Sequence, residues 1–262
     1  MPYPLRELLA QLVRFAWAEA RCCAFAVAIF AGLALSTVLP VPLARYDLLL
    51  LYGLAVTALF WAAGLERSRD LVVIAVFHVV GLVFELVKVR LGSWHYPEPA
   101  LTKIGGVPLY SGFLYAAVAS YVCRAWSLLR LRLSGFRLLP TALVAGAVYL
   151  NFFTHHWLPD LRVPLAALLV LVTGTATVHF TVGARRHRMP LALAFGLIGV
   201  FLWLAENIAT FFGAWYYPHQ LEVWRPVSPA KAVAWALLIS VAFVLVAWWQ
   251  GRVGRLHERR PA

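Results

Sequence analysis

The chain has 262 residues, of which 63% are hydrophobic and only 13% are charged, and its formal net charge is +12. Such a composition leaves too little polar surface to cover a water-soluble globule. It excludes a cytosolic enzyme, a disordered chain and a secreted disulfide scaffold. The composition therefore predicts a polytopic membrane protein.

The basic residues do not indicate a nucleic-acid partner, because the 23 Lys and Arg are dispersed between long apolar runs. We expect the protein to contact membrane lipids and no nucleic acid. The three cysteines, Cys22, Cys23 and Cys123, have no metal-binding spacing, and we interpret them as buried thiols without a disulfide.

The N-terminal segment predicts a short helix lying in the membrane interface. Leu5, Leu8, Leu9 and Leu12 form one helical stripe, while Arg14 lies off it. An apolar stripe opposite charged residues is typical of an in-plane amphipathic helix.

Eight apolar windows follow, each long enough to approach the roughly 20 helical residues that cross a bilayer core about 30 Å thick. They are approximately Cys22–Leu39, Leu48–Gly64, Leu71–Leu91, Pro108–Leu129, Leu138–Trp157, Pro164–Gly183, Pro190–Phe212 and Pro229–Trp249. We predict an all-α fold, a transmembrane bundle of about eight helices forming one integral membrane domain over residues 1–262.

Basic residues predict the orientation of this bundle. With both termini in the cytoplasm, seven of the 23 Lys and Arg fall on the opposite side and the other sixteen on or near the cytoplasmic side. The seven are Arg45, Lys88, Arg90, Lys103, Arg162, Arg225 and Lys231. This bias follows the positive-inside rule and predicts a bacterial cytoplasmic membrane protein with both termini cytoplasmic.

A motif occurs twice in the chain, and every matched pair is separated by 121 residues. The pairs are Glu85 and Glu206, Gly92 and Gly213, Trp94 and Trp215, Tyr96 and Tyr217, Pro97 and Pro218, and Pro108 and Pro229. A repeat of four helices keeps both halves in the same orientation, so we predict two parallel-oriented four-helix repeats at about 22–129 and 138–250. Both motifs then face the non-cytoplasmic side.

The two glutamates are the candidate catalytic residues. A carboxyl inside a membrane helix is costly and usually faces the bundle interior or a water-filled cavity. Lys88 lies one helical turn after Glu85 and can form an ion pair with it, whereas Ala209 occupies the equivalent place after Glu206. Two interpretations stay open: the carboxyls exchange protons at a central cavity, or they pin the repeats together through hydrogen bonds.

Other polar and aromatic residues complete the candidate substrate site. Trp94, Tyr96, Trp215 and Tyr217 either line a cavity or form an interfacial belt. Lys88, Asn207 and His155 are further candidates, although an intramembrane Asn more often bonds a neighbouring helix. No helix carries metal ligands at i, i+3 or i, i+4 spacing, so we predict neither a metal nor another cofactor.

Three strings carry a family resemblance: ELVKVRLGSWHYP at Glu85–Pro97, IGGVPLYSGF at Ile104–Phe113 and ENIATFFGAWYYP at Glu206–Pro218. They resemble the bacterial YoaT-type family of multi-pass membrane proteins of unknown function. The chain is also similar, over shorter stretches, to membrane-bound carotenoid cyclases and hydratases. That second likeness implies cofactor-free acid–base chemistry on a polyene, with Glu85 and Glu206 in the acid roles.

Two classes of function fit these observations. An acid–base enzyme on a lipid-soluble isoprenoid would use Glu206 as the acid, Glu85 as the base and the motif aromatics to stabilise a carbocation. A proton- or ion-coupled transporter of small solutes is the alternative, since it too explains one carboxyl in each half. A non-catalytic scaffold is the third possibility. A cavity that opens toward lipid favours the enzyme, and one that opens toward water favours transport.

Overall fold

The structure is a computed structural model that describes residues 5–258, and the side chains of residues 5–251. In this part of the chain, nine α-helices are joined by loops and by five short strands. The helices are α1 (Leu5–Cys22), α2 (Ala24–Leu35), α3 (Arg45–Ala62), α4 (Ser68–Arg90), α5 (Gly112–Leu128), α6 (Leu138–Thr154), α7 (Arg162–Thr173), α8 (Leu191–Phe211) and α9 (Lys231–Glu258). The strands are β1 (Lys103–Ile104), β2 (Val107–Pro108), β3 (Arg132–Ser134), β4 (Thr177–Val182) and β5 (Arg185–Pro190).

The predicted helical membrane fold is confirmed, and each of the eight apolar windows contains a helix. By length and composition, the described chain has four helices that can cross a membrane: α3, α4, α8 and the Lys231–Gly251 part of α9. Helices α1 and α2 pass the same test together but meet at 65°, which would make a fifth, broken span. Four of the basic residues predicted on the cytoplasmic side are not fully described. Arg259 and Arg260 lie outside the described residues, and the side chains of Arg252 and Arg255 are not described.

The predicted helical span Pro164–Gly183 is wrong in its second half. Helix α7 ends at Thr173, and Thr177–Val182 forms β4. Four of the six residues of β4 are Thr or Val, whose branched Cβ favours a pleated strand. Burial alternates along β4, with Val178, Phe180 and Val182 inside. A short apolar run of this kind has no periodicity that separates a strand from a helix.

The first window was also predicted as one helix of 18 residues, but α2 has 12 residues. The helical path changes direction at Cys23, and the chain turns after Leu35. The N-terminal helix itself is present as α1, and its predicted apolar stripe is exposed at Leu5, Leu8, Leu9 and Leu12.

The chain forms two compact units, each built from separate segments. The sheet unit contains the described residues of Met1–Ala18, Ala125–Trp203 and Pro229–Ala262. The motif unit contains Glu19–Arg124 and Leu204–Ser228. Both copies of the repeated motif up to Pro218 lie in the motif unit, so the units do not coincide with the predicted repeats.

In the sheet unit, β3, β4 and β5 form an antiparallel sheet in that order. Helix α1 packs on one face of it. The Gln11 amide donates to the Val182 carbonyl at 3.0 Å, the rings of Phe15 and Phe180 lie 5.7 Å apart, and Glu7 forms an ion pair with Arg185 at 2.7 Å. Gln11 and Phe15 of α1 therefore face the sheet, whereas Glu7 and its partner Arg185 lie at the exposed edge of this contact.

In the motif unit, glycines allow aromatic side chains to approach neighbouring helices closely, as is common between membrane helices. A Cβ at Gly32 would lie 2.2 Å from the Tyr52 ring, and one at Gly81 would lie 2.4 Å from Tyr115. The latter contact places α5 against α4, directly beside Glu85.

We expect Gly199→Ala to destabilise the sheet unit. Its Cβ would lie 2.6 Å from the Ala232 carbonyl oxygen and 2.7 Å from the Ala236 Cβ, so α8 and α9 would have to separate. Overpacking of this kind costs about 1–3 kcal/mol. Thermal unfolding of the detergent-solubilised protein should show a lower midpoint.

Gly196→Ala on the same helix is the matched control, because a Cβ there meets nothing within 4 Å. Alanine is also the better helix former by up to about 1 kcal/mol. A lower midpoint for the Gly196 variant, or an unchanged one for the Gly199 variant, would contradict the close contact of α8 with α9.

Candidate functional site

The two motifs end their helices in the same way. After α4, Gly92 adopts φ +69°, and the Ser93 N–H donates to the Lys88 carbonyl at 2.9 Å. After α8, Gly213 adopts φ +67°, and the Ala214 N–H donates to the Ala209 carbonyl, also at 2.9 Å. These bonds define Schellman-type ends, in which glycine occupies a left-handed position that other residues rarely adopt.

The loops that follow these helix ends pair with each other. His95 and Tyr216 form an antiparallel bridge, and each N–H donates to the other's carbonyl at 2.9 Å. These two residues are also separated by 121 positions, so the bridge joins equivalent points of the two motifs. Its symmetry brings the segments after Glu85 and Glu206 together within the motif unit.

The carboxylate of Glu85 accepts three hydrogen bonds from aromatic side chains. The Trp94 indole donates at 2.6 Å and the Tyr96 hydroxyl at 2.8 Å to one oxygen, and the Tyr115 hydroxyl donates at 2.7 Å to the other. Glu85 is only 4% exposed. A buried carboxyl is tolerated when its oxygens are hydrogen-bonded, and this cage meets that need.

Glu206 repeats part of this arrangement. Its carboxyl accepts a hydrogen bond from the Tyr217 hydroxyl, and it is 4% exposed. In both motifs the tyrosine lies eleven residues after its glutamate. Each helix ends at a glycine, and the loop after it runs back along the helix. The tyrosine hydroxyl therefore reaches the glutamate, which lies about two turns before the helix end.

Aromatic contacts link the two carboxyls. The rings of Trp94 and Tyr217 meet edge to face, with centroids 6.0 Å apart. Burial raises the pKa of the Tyr96 and Tyr217 hydroxyls well above the usual range, with the nearby glutamates as a further cause. Both tyrosines therefore keep their protons and act as hydrogen-bond donors at any physiological pH.

Arg45 supports the second motif from the start of α3. Its guanidinium donates to the carbonyls of Phe212 and of Gly213, the latter at 3.1 Å, and forms an ion pair with Glu98 at 2.7 Å. A cation at the C-terminal end of a helix satisfies carbonyls that have no partner within the helix and interacts favourably with the helix dipole.

The structure brings most of the predicted site residues together. Glu85, Glu206, Trp94, Tyr96 and Tyr217 form one hydrogen-bonded and aromatic cluster. Trp215, beside them in sequence, is half-buried.

The remaining predicted residues have other surroundings. Lys88 is buried with its ammonium group 5.7 Å from the centre of the Phe84 ring, and its ion pair with Glu85 stays a prediction. The Asn207 side chain accepts from the Val227 N–H at 2.8 Å and so fastens the loop after α8. His155 belongs to the sheet unit, where its ring contacts the Asn151 carbonyl at 3.1 Å.

Two residues that contact the motifs, Tyr115 and Arg45, are not predicted from the sequence. Tyr115 lies on α5 outside both motif copies, and no spacing rule connects it to Glu85. Arg45 was noted only for its charge. In the described part of the chain, no group of three or more His, Cys, Asp or Glu side chains is arranged to hold a metal ion.

The fold and this site define a multi-pass helical membrane protein with paired carboxyl–tyrosine motifs. The chain belongs to the family described as protein of unknown function (DUF817), whose model matches residues 11–243. It is 48% identical to the uncharacterized protein YoaT of Bacillus subtilis (strain 168) over 244 residues, which cover 91% of each chain. These findings confirm the resemblance carried by the motif strings.

Solved structures show a similar fold. One is a mycobacterial Insig homolog, MvINS from Mycobacterium vanbaalenii, with 18% identity, and another is a cross-linked MvINS trimer, with 19%. Each match has a TM-score of 0.52 and covers 75% of this chain and 98% of the other. At this identity the likeness concerns the fold alone.

We expect Glu85→Gln to destabilise the protein. A glutamine offers one acceptor oxygen in place of two and adds an NH₂ donor, so at least one of the three aromatic donors loses its partner. An unpaired buried polar group costs about 1–3 kcal/mol. The thermal unfolding midpoint of the purified variant should fall.

Glu222→Gln makes the same chemical change on an exposed loop residue and should leave the midpoint unchanged. Equal midpoints for the Glu85 variant and the wild type would show that the cage around this carboxyl contributes nothing to stability.

Proposed function

We propose that this protein catalyses cofactor-free acid–base chemistry on a lipid-soluble, isoprenoid-like substrate. Glu206 is the proton donor. Glu85 is the base, and three hydrogen bonds hold its carboxylate in place. The observation that carries the proposal is the pairing of two intramembrane carboxyl–tyrosine motifs through the bridge between His95 and Tyr216. Intramembrane carboxyls are candidates for proton transfer because burying them is otherwise costly.

The chemistry would need no redox group. A proton passes from the Glu206 carboxyl to one carbon of an alkene, and the electron pair of the double bond forms the new C–H bond. The neighbouring carbon becomes a carbocation, which an aromatic face such as that of Trp94 or Tyr217 stabilises. Loss of a proton from an adjacent carbon to Glu85 forms the new double bond. A second proton transfer then returns each glutamate to its starting state.

A non-catalytic scaffold is the second candidate, and the cage around Glu85 favours it. The three donors to this carboxylate come from the loop after α4 and from α5, so the glutamate also acts as a brace between elements. Buried polar networks whose members are all satisfied can serve mainly to specify one packing.

We also propose that the protein lies in the bacterial cytoplasmic membrane with both termini in the cytoplasm, as two repeats of the same orientation. The local structure supports this. In the motif unit the Arg124 guanidinium donates to the carbonyls of Arg21 and Leu65, and all three residues lie near predicted cytoplasmic ends. The two loops predicted on the opposite side pair with each other, and their helix ends match.

The enzymatic proposal predicts a change in membrane lipids. Lipid extracts from cells that lack the protein should accumulate an isoprenoid precursor, and the wild-type gene should remove it. Glu206→Gln should fail to do so although the protein is still present in the membrane, because glutamine cannot exchange a proton. Glu222→Gln is the matched control and should restore the wild-type lipid profile.

If Glu206→Gln restores the profile as well as the wild type does, the carboxyl is not catalytic. Identical lipid extracts with and without the protein would contradict the enzyme and favour the scaffold.

The topology predicts opposite signals from two reporter fusions. Alkaline phosphatase, which is active only outside the cytoplasm, should be inactive when fused after His257 and active when inserted between Glu98 and Lys103. A green fluorescent protein fusion at each site should give the reverse pattern. The same signal at both sites would contradict the proposed orientation.

A further inference from the structure

The face of the three-stranded sheet opposite α1 carries a group of basic side chains. Strand register places Arg132 beside His179 and His179 beside Arg188, so these three form one row across the sheet. In the next row Thr181 lies beside Arg186. Because side chains alternate between faces along a strand, all of these point away from the face that packs on α1.

This arrangement of like charges is unfavourable by itself. Guanidinium groups gathered on one face repel one another, although water and salt weaken that repulsion. The side chains of Arg130, Arg132, Arg186 and Arg188 form no hydrogen bond or ion pair with any other side chain that the structure describes. The nearby carboxylate of Glu7 pairs with Arg185 on the opposite face of the sheet.

Three of these arginines line an open cleft of about 550 Å³. Its polar lining consists of Arg130, Arg132 and Arg186 together with Ser134, His179 and Thr181. The Ser134 hydroxyl and the His179 ring nitrogen lie 2.8 Å apart. No carboxylate lines this cleft.

Arg130 reaches the cleft from a strained backbone. It has φ +51° and is the one residue other than glycine with a positive φ in the described chain. Glycine would adopt this conformation at the end of α5 without cost. An arginine is disfavoured in this conformation, and such strain is typical of sites where the side chain has a task.

We propose that this cleft binds a phosphate-bearing anion, and that its natural source is the headgroup of an anionic phospholipid. Guanidinium groups bind phosphate oxygens through paired, charge-assisted hydrogen bonds, and the serine and threonine hydroxyls add further donors. Helix α1 belongs to the same compact unit and exposes Leu5, Leu8, Leu9 and Leu12, an apolar stripe suited to the membrane interface where such headgroups lie. A soluble phosphate compound offers the same chemistry.

The full chain, purified in neutral detergent, allows a direct test by thermal unfolding. The midpoint is followed against rising concentrations of dihexanoylphosphatidylglycerol, of inorganic phosphate, and of sodium chloride at matched ionic strength. The pocket variant is Arg132→Gln with Arg186→Gln. The control variant is Arg90→Gln with Arg225→Gln, which removes the same charge from exposed residues of the motif unit.

We expect the wild type and the control variant to be stabilised saturably by dihexanoylphosphatidylglycerol. The pocket variant should bind it at least about tenfold more weakly, as for loss of one charge-assisted hydrogen bond. Without ligand its midpoint should equal or exceed that of the wild type, because a repulsion is removed. If inorganic phosphate stabilises the wild type as strongly as the lipid does, the natural ligand is a soluble phosphate compound.

The proposal is overturned if neither probe stabilises the protein beyond the effect of sodium chloride, or if the pocket and control variants respond alike. Should the double pocket variant fail to fold, Arg186→Gln alone serves the same comparison, since its side chain is exposed. If Arg186→Gln alone prevents folding, the arginines on this sheet face do not destabilise the protein by repelling one another.

Discussion

The structure of the motif unit depends on one constraint: a carboxyl placed in an apolar helix bundle must have hydrogen-bond donors nearby. Glu85 obtains three, from Trp94, Tyr96 and Tyr115, and Tyr217 donates to Glu206. To supply the motif tyrosines, each helix must end at a glycine and each loop must fold back over the helix it has left. The bridge between the two loops follows from that geometry, because it joins the backbone between Trp94 and Tyr96 to the backbone between Trp215 and Tyr217.

The sheet unit is organised differently. Its main feature is a group of exposed arginines on one face of the sheet, whereas the motif unit contains buried carboxyls. One face of its sheet contacts α1 through Gln11 and Glu7. The other face presents arginines in adjacent rows around a cleft. The proposed acid–base site lies in the motif unit, and the proposed anion cleft lies in the sheet unit. Together they would combine chemistry on an apolar substrate with binding of lipid headgroups. The two features lie in separate compact units and can be tested independently.

Much of this architecture follows from the sequence because membrane helices need long apolar runs, and the glutamate, glycine, tryptophan and tyrosine recur at fixed spacing. The spacing indicated the candidate site residues, and five of them lie together in the structure. Strand β4 was missed because TVHFTV continues an apolar run. The role of Tyr115 was missed because it depends on how α5 packs against Gly81. Arg45 lies more than 160 residues before the helix end it supports, so no local pattern indicates that contact.

The central claim is that the two motif loops pair through equivalent residues, and a cross-link tests it most directly. Residues that exchange both backbone hydrogen bonds in an antiparallel pair have Cα atoms about 5.5 Å apart, which suits a disulfide. In a variant with Cys22, Cys23 and Cys123 changed to Ser, His95→Cys with Tyr216→Cys should oxidise to one intramolecular disulfide, identified by mass spectrometry of the joined peptides. His95→Cys with the exposed Leu221→Cys should not. Absence of the first cross-link, or equal yields from both pairs, would contradict the pairing of the two motifs.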